Sequence, residues 1–288
     1  MMNMKHWIWF LTLIPMMNKS EHYQKYSDYT AVQAANTGMG WMFFLDTMAH
    51  NSKRTTQELL LIHFQRPEAR NCKTYQEWIN SGRRVKRGAI GIVVKDQEHP
   101  DKMRFLFDQS DTVGDKNMGM AWRFSQKYEA DIMRDLDTVF RTGEAFSFPA
   151  QVEHVVSKLI DNYWYDHEKE ILRGIMECSR MCDEYSAKLQ FVDAAFYSTC
   201  YMILERCGQS PRAHYDFHDF LGVQGFNSSN AMNVLGEAIR SVGNQVLDVI
   251  GKTITDKTAE RNSSIQAKGE KSPFAFLKPK TKKEMEER

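Results

Sequence analysis

Arg83-Arg84-Val85-Lys86-Arg87-Gly88-Ala89-Ile90-Gly91-Ile92-Val93-Val94 is the stretch on which the fold turns. Four cations packed around one valine run into the most β-branched segment of the chain, and β-branched side chains favour a pleated strand. Asp96–Asp101, with Pro100, reads as a polar turn. Met103–Phe107 follows as a second strand, with Met103, Phe105 and Phe107 on one face and Arg104 on the other. Two antiparallel strands joined by a six-residue loop is the simplest reading. Asp108-Gln109-Ser110-Asp111-Thr112 closes the unit in turn-forming residues.

On either side the pattern is helical. From Asp28 to about His50, Val32, Ala35, Met39, Met42, Phe43 and Thr47 recur at helical spacing, with Gly38 and Gly40 weakening the middle. Thr56 is a candidate N-cap for a short helix Gln57–Phe64 that Pro67 ends, and Thr74 caps another over Tyr75–Asn80, stopped by Gly82. After Gly119 the candidate helices are Lys127–Arg141, Ala150–Tyr165, His167–Cys178, Asp183–Cys207 and Asn230–Thr255. The expected fold class is α+β: mostly helical, with a small antiparallel sheet over about residues 84–108 in the N-terminal half and a helical C-terminal half.

Residues 17–120 then form a basic α+β module, 121–255 an acidic helical domain, and 256–288 a disordered charged tail with Pro273 and Pro279. Lys5 and His6 precede the apolar run Trp7–Ile14, which is far shorter than the ~20 residues a membrane span needs and is followed by no small-x-small cleavage site. Residues 1–16 therefore read as a non-native upstream extension, with an export signal as the alternative. Five cysteines, Cys72, Cys178, Cys182, Cys200 and Cys207, have no metal-finger spacing and read as buried or free thiols of a reducing cytoplasm. No membrane segment is expected.

Whole-chain charge is uninformative, 38 basic against 37 acidic side chains in 288 residues, but it is unevenly placed. Arg66, Arg70, Lys73, Arg83, Arg84, Lys86, Arg87 and Lys95 face only Glu68 and Glu77, a net +6 between positions 66 and 95. Positions 151–220 carry seven basic and twelve acidic residues, a net −5. In a strand Arg84 and Lys86 share one face and Val85 and Arg87 the other, while Gly88 and Gly91 leave the backbone open to a ligand. Tyr75 and Trp78, one helix away, are stacking candidates. A basic groove beside an aromatic platform suits single-stranded nucleic acid, because each neutralised phosphate and each stacked base adds affinity. Arg66, Tyr75, Trp78, Arg83, Arg84, Lys86, Arg87 and Lys95 are the candidate binding residues. The plainer alternative is a solvated basic hairpin with Trp78 in the core.

Gln65-Arg66-Pro67-Glu68-Ala69, Tyr75-Gln76-Glu77-Trp78, Gly82–Ile92 and Phe105-Leu106-Phe107-Asp108-Gln109-Ser110-Asp111-Thr112 form an ordered set of motifs. Together they resemble the N-terminal single-stranded-DNA-binding domain of ArdC-type antirestriction proteins. The likeness is closer still to the copy that opens very large helicase/methylase-type proteins of conjugative elements in gut Firmicutes. Tyr163-Trp164-Tyr165-Asp166-His167 and Asp216-Phe217-His218-Asp219-Phe220-Leu221 extend it over roughly 44–254. The resemblance implies a DNA-handling role on a mobile element, coating or guiding a transferred strand or shielding it from restriction. By position, Arg83, Arg84, Lys86 and Arg87 would meet phosphates and Trp78 would stack on a base. The family's helicase, methylase and metallopeptidase regions have no counterpart here, which suits either a free-standing short relative or a fragment.

Motifs for chemistry are weak. His167-Glu168 is not followed by the second histidine of a zincin. His214 and His218, with Asp216 and Asp219, offer a metal only if they lie on one helix; a capped turn is the alternative. Asp108 and Asp111 are the only carboxylates next to the basic tract and suit a turn cap better than a nuclease centre. Gly38-Met39-Gly40 lacks a third glycine and a preceding strand. The expectation is a non-catalytic, single-stranded-DNA-binding protein without cofactor or metal. Other proteins of a transfer machinery are expected to meet its helical half. The competing readings are a protein-interaction module acting through that acidic half, and an enzyme using the His214/His218 region.

Overall fold

The structure, a computed structural model, describes residues 19–96, 98–99, 102–114, 122–176 and 183–269. The expected extension 1–16, Cys178, Cys182 and the tail beyond 269 lie outside the described residues.

Helix α1 spans Lys19–Ala35 and α2 Gly38–Asn51, so the single helix expected from Asp28 to His50 is broken at Asn36–Thr37. Thr37 is extended and its hydroxyl accepts from the Gly40 N–H at 3.0 Å, an N-cap that restarts the chain in a new direction. Gly38 is required there by close approach, since a Cβ would sit 2.0 Å from the Phe217 carbonyl oxygen. Gly38→Ala is expected to cost about 1–3 kcal/mol as backbone is forced apart, measured as a fall in the urea midpoint. An unchanged midpoint would show that the Phe217 segment yields freely.

Helix α3 spans Thr56–Gln65, and its cap is Thr55 rather than Thr56. Thr55 and Glu58 form a reciprocal capping box. Thr56 is free for a long-range role, its hydroxyl donating to Glu237 at 2.9 Å. Strand β1 (Lys73–Thr74) leads into α4 (Tyr75–Asn80), where Thr74 and Glu77 make a second capping box, as the sequence predicts for Thr74.

Strands β2 (Arg84–Val85), β3 (Ile92–Lys95), β4 (Met103–Phe107) and β5 (Thr112–Val113) form two small antiparallel sheets, ordered β1-β4-β3 and β2-β5. β3 and β4 are the expected pair, with Ile92 opposite Leu106 and Lys95 opposite Met103. The basic tract does not extend β3, however. Arg84 lies opposite Val113 in its own ribbon, and the chain turns at Lys86–Ala89 with Gly88 at φ 82°. The free edge of β3 is closed by one side chain: the Gln65 amide accepts from the Val93 N–H at 3.0 Å and donates to its carbonyl at 2.8 Å.

Ile92, Val94 and Leu106 are buried on the inner face of the three-stranded sheet. Arg104 also points inward, where its guanidinium bonds the buried carboxylate of Glu58. The face carrying Phe105 therefore looks outward.

The C-terminal half contains α5 (Glu129–Phe140), α6 (Phe148–Met176), α7 (Glu184–Cys207) and α8 (Ser229–Gly269). One continuous α6 replaces the two helices expected between Ala150 and Cys178. Asp183 caps α7, and Gly208 at φ 68° ends it. Helix α8 runs past Thr255 to Gly269, so the segment expected to be a disordered tail from 256 begins as helix.

The expected division near residue 120 is not a break in the core. One cluster of buried apolar side chains runs from Ala31 on α1 through Leu106 to Ile254 on α8. The buried Trp41 indole donates to Ser198 on α7 at 2.8 Å, and Arg212 and Tyr201 both hold Asp46 on α2. The basic and acidic regions are two surfaces of one packed body. No described helix is long and apolar enough to cross a membrane.

Candidate nucleic-acid interface

The eight expected binding residues fall into two groups. Trp78 belongs to the interior: it is 0% exposed, and its indole N–H donates to the Phe107 carbonyl at 2.9 Å. It offers no face to a base. The reason is the capping box at Thr74–Glu77, which starts α4 so that position 78 faces β1 and β4.

Arg83 is 8% exposed, and its Nε donates to the Thr112 hydroxyl at 2.8 Å across the β2-β5 ribbon. Arg66 bonds Asp111 at 2.7 Å and Ser110 at 2.9 Å. Burial works against its charge, but the bond to Asp111 and the nearby Asp108 carboxylate hold its guanidinium above the ordinary value. Lys95 is half-buried and donates to Gln24 at 2.6 Å. Trp78 and Arg83 are buried in the fold, which corrects their expected contact with nucleic acid, whereas Arg66 and Lys95 are partly exposed and already paired with Asp111 and Gln24.

Arg84, Lys86 and Arg87 are exposed, as is Tyr75 at 57%. Lys86 donates to the Ser110 carbonyl at 2.7 Å, a single surface bond to a neutral acceptor. Arg83, just before β2, turns in to the Thr112 hydroxyl, while Arg84 at the start of the strand turns out. Arg87 escapes the alternation because β2 has already ended at Val85.

Sequence reasoning missed the exposed apolar side chains beside this loop. Phe105 is 54% exposed on the outer face of β4, and Ile90 is 86% exposed on the loop itself. Gly91 carries the backbone directly against that face, since a Cβ there would lie 3.0 Å from Phe105 and 3.2 Å from Phe107. Arg87 is four residues from Gly91, within at most about 14 Å of chain. Arg84, Lys86 and Arg87 thus precede, by at most seven residues, the backbone that lies against an outward aromatic ring. The signal was present in the alternation Met103-Arg104-Phe105-Leu106-Phe107, but which face is solvated depends on Glu58 receiving Arg104.

The remaining candidates for chemistry have local structural tasks. Asp108 and Asp111 form a capping box over the 3-10 turn Gln109–Asp111, and Asp108 also accepts from the Arg70 N–H. Asp216 and Asp219 do the same for the 3-10 segment Phe217–Phe226, with the Asp216 carboxylate accepting from the His218 N–H at 2.7 Å. His167 lies against the Tyr163 ring and pairs with Glu170 one turn on along α6. Among the described residues no three His, Cys, Asp or Glu side chains are grouped to hold a metal ion. Cys72, Cys200 and Cys207 are buried free thiols, and burial pushes the Cys72 and Cys207 thiols up to about 12.

Compared with known protein families, curated proteins and solved structures, the chain matches none. Its function has to be read from the geometry above.

Proposed function

We propose that this chain is a non-catalytic single-stranded-DNA-binding protein of a mobile genetic element, acting in the cytoplasm in conjugation or antirestriction, as its ArdC-like motifs imply. The observation that supports the reading is the run of exposed cations Arg84, Lys86 and Arg87 leading into Gly91, whose backbone lies against the outward ring of Phe105. Cations neutralise phosphates, and an exposed aromatic on a strand stacks on any base without reading its edge. Tyr75 is the second exposed aromatic of this region.

The reading is tested by anisotropy titration of a labelled oligonucleotide, single-stranded and duplex, over a range of salt. Saturable, salt-sensitive binding that favours the single strand is expected. Phe105→Ala is expected to lose about 1–3 kcal/mol of that affinity with the thermal midpoint held, because the ring is not part of the buried core. No binding at low salt, or equal affinity for the duplex, overturns the proposal.

A second reading places the function in contacts between the helical half and other proteins of a transfer machinery. It is favoured by Phe146, Tyr165 and Tyr185, large side chains that stand exposed around the acidic helices α6 and α7. It predicts intact partner binding in the Phe105 variant.

A further inference from the structure

A second cluster of cations lies away from the Arg84–Arg87 loop and has a cavity at its centre. The end of α2, β1, Trp122, the end of α7 and the middle of α8 line a half-open pocket of about 180 Å³. Lys53, Arg54, Lys73 and Arg206 line it, and Asp248, the one carboxylate among the described lining residues, is already paired with Lys53 at 2.8 and 3.1 Å. Glu77, on α4, is already engaged by Arg54 at 2.8 and 2.9 Å. Positive charge is therefore in excess inside a small space.

Arg206 is the centre of the argument. Its guanidinium lies 3.9 Å over the Trp122 ring and donates to the Trp122 carbonyl at 2.9 Å. Both contacts are to neutral groups. Burial lowers its affinity for a proton, and only the Cys207 thiol opposes that. Lys73 is likewise pushed down, first by burial and then, against Glu77, by Arg54 and Arg83. Cations crowded in this way are stabilised by an anion that enters between them.

The helix end at the wall does not repel such an anion. The carbonyls of His50, Asn51 and Ser52, which carry the negative end of α2, are each occupied by a donor. These are the Asn71 N–H at 3.1 Å, the Arg54 N–H at 2.8 Å, and Arg240 and Asn244 at 2.8 and 2.9 Å.

We propose that this cavity is a phosphate-monoester site. A compact tetrahedral dianion satisfies Lys and Arg together and carries one more negative charge than a phosphodiester. The pocket lies close to the proposed DNA surface, since Lys73 in its lining and the buried Arg83 sit 4.8 and 5.9 Å from the same buried Trp78 ring and the exposed Arg84 follows Arg83. The source of the phosphate that this proximity favours is the 5′ or 3′ end of a bound strand, and that part rests on the DNA reading. The pocket itself does not.

Calorimetric titration of the full chain with inorganic phosphate at constant ionic strength tests the pocket. Binding is expected in the wild type and in the Arg84/Lys86/Arg87 triple alanine variant. Arg206→Gln, which keeps a donor for the Trp122 carbonyl, is expected to weaken it about tenfold or more. Asp248→Asn, at an exposed position that cannot unfold the chain, is expected to tighten it by up to about fivefold. A wild type that does not bind phosphate, or an Asp248→Asn variant that binds no tighter together with an unaffected Arg206→Gln variant, overturns the proposal. Oligonucleotides with and without terminal phosphates then separate the sources. A preference for the phosphorylated end that Arg206→Gln abolishes assigns the pocket to a strand terminus. No preference, with inorganic phosphate still bound, assigns it to free phosphate. Phosphate binding without any DNA binding leaves the pocket standing and removes the DNA reading.

Discussion

Changing Arg84, Lys86 and Arg87 together to alanine is expected to cut the salt dependence of single-strand binding by about 2 in the slope of log affinity against log salt, three contacts at ~0.7 each. Between 50 and 200 mM salt the difference in affinity then shrinks by roughly tenfold or more. The three side chains are exposed, and the one bond among them is from Lys86 to a surface carbonyl, so folding is left within about 0.5 kcal/mol of the wild type. A salt titration of anisotropy, with thermal melting alongside, reads both quantities. An unchanged slope sinks the role of this loop whatever the absolute affinity. Arg83→Ala serves as the contrast. Its removal takes from the Thr112 hydroxyl a buried guanidinium donor at 2.8 Å and leaves its bond to the Gln109 carbonyl, so it should lower stability before it touches the slope.

That contrast between neighbouring arginines shows where the sequence is legible and where it is not. The α+β class and the β3-β4 pair follow from local chemistry, a β-branched run, a polar turn and an alternating segment. The cap at Thr74 is equally local, because its partner Glu77 is three residues away. Arg83, just before β2, turns in to bond Thr112, and Arg84, the first residue of β2, turns out opposite Val113, so their difference is decided by a segment nearly thirty residues on. Phe105 and Arg104 pose the same problem. The alternation separates them into two faces, but an arginine turns inward only because Glu58 waits there, buried and capping α3. Composition placed the charge correctly and mistook it for a domain boundary. Charge is a property of surfaces, whereas the core that unites Trp41 with Ser198 depends on side chains 157 positions apart. The sum of 38 and 37 conceals a division of surface that the fold keeps on one body.

Trp78→Ala is expected to be the most damaging single substitution of this end of the molecule, costing about 3–5 kcal/mol as a fully buried aromatic is deleted. The loss is larger than an apolar cavity alone implies. The Phe107 carbonyl loses the indole N–H at 2.9 Å, and Lys73 and Arg83 lose the ring beneath their charges. Trp78 stands outside the main apolar cluster and is the buried side chain by which α4 packs on β1, β2 and β4. Damage should therefore begin locally. Hydrogen exchange is expected to show lost protection in α4 and the β2-β5 ribbon first, with α6, α7 and α8 still protected, while urea unfolding gives the total cost. Trp78→Phe separates the two possible roles of this residue. It keeps most of the buried ring and removes the N–H, so stability should fall by only part of the alanine cost while single-strand affinity stays unchanged. If instead Trp78→Phe and Trp78→Ala leave the urea midpoint in place and weaken DNA binding, the indole is reaching a base after all. The buried position assigned to it, and with it the choice of Phe105 as the stacking surface, would then be wrong.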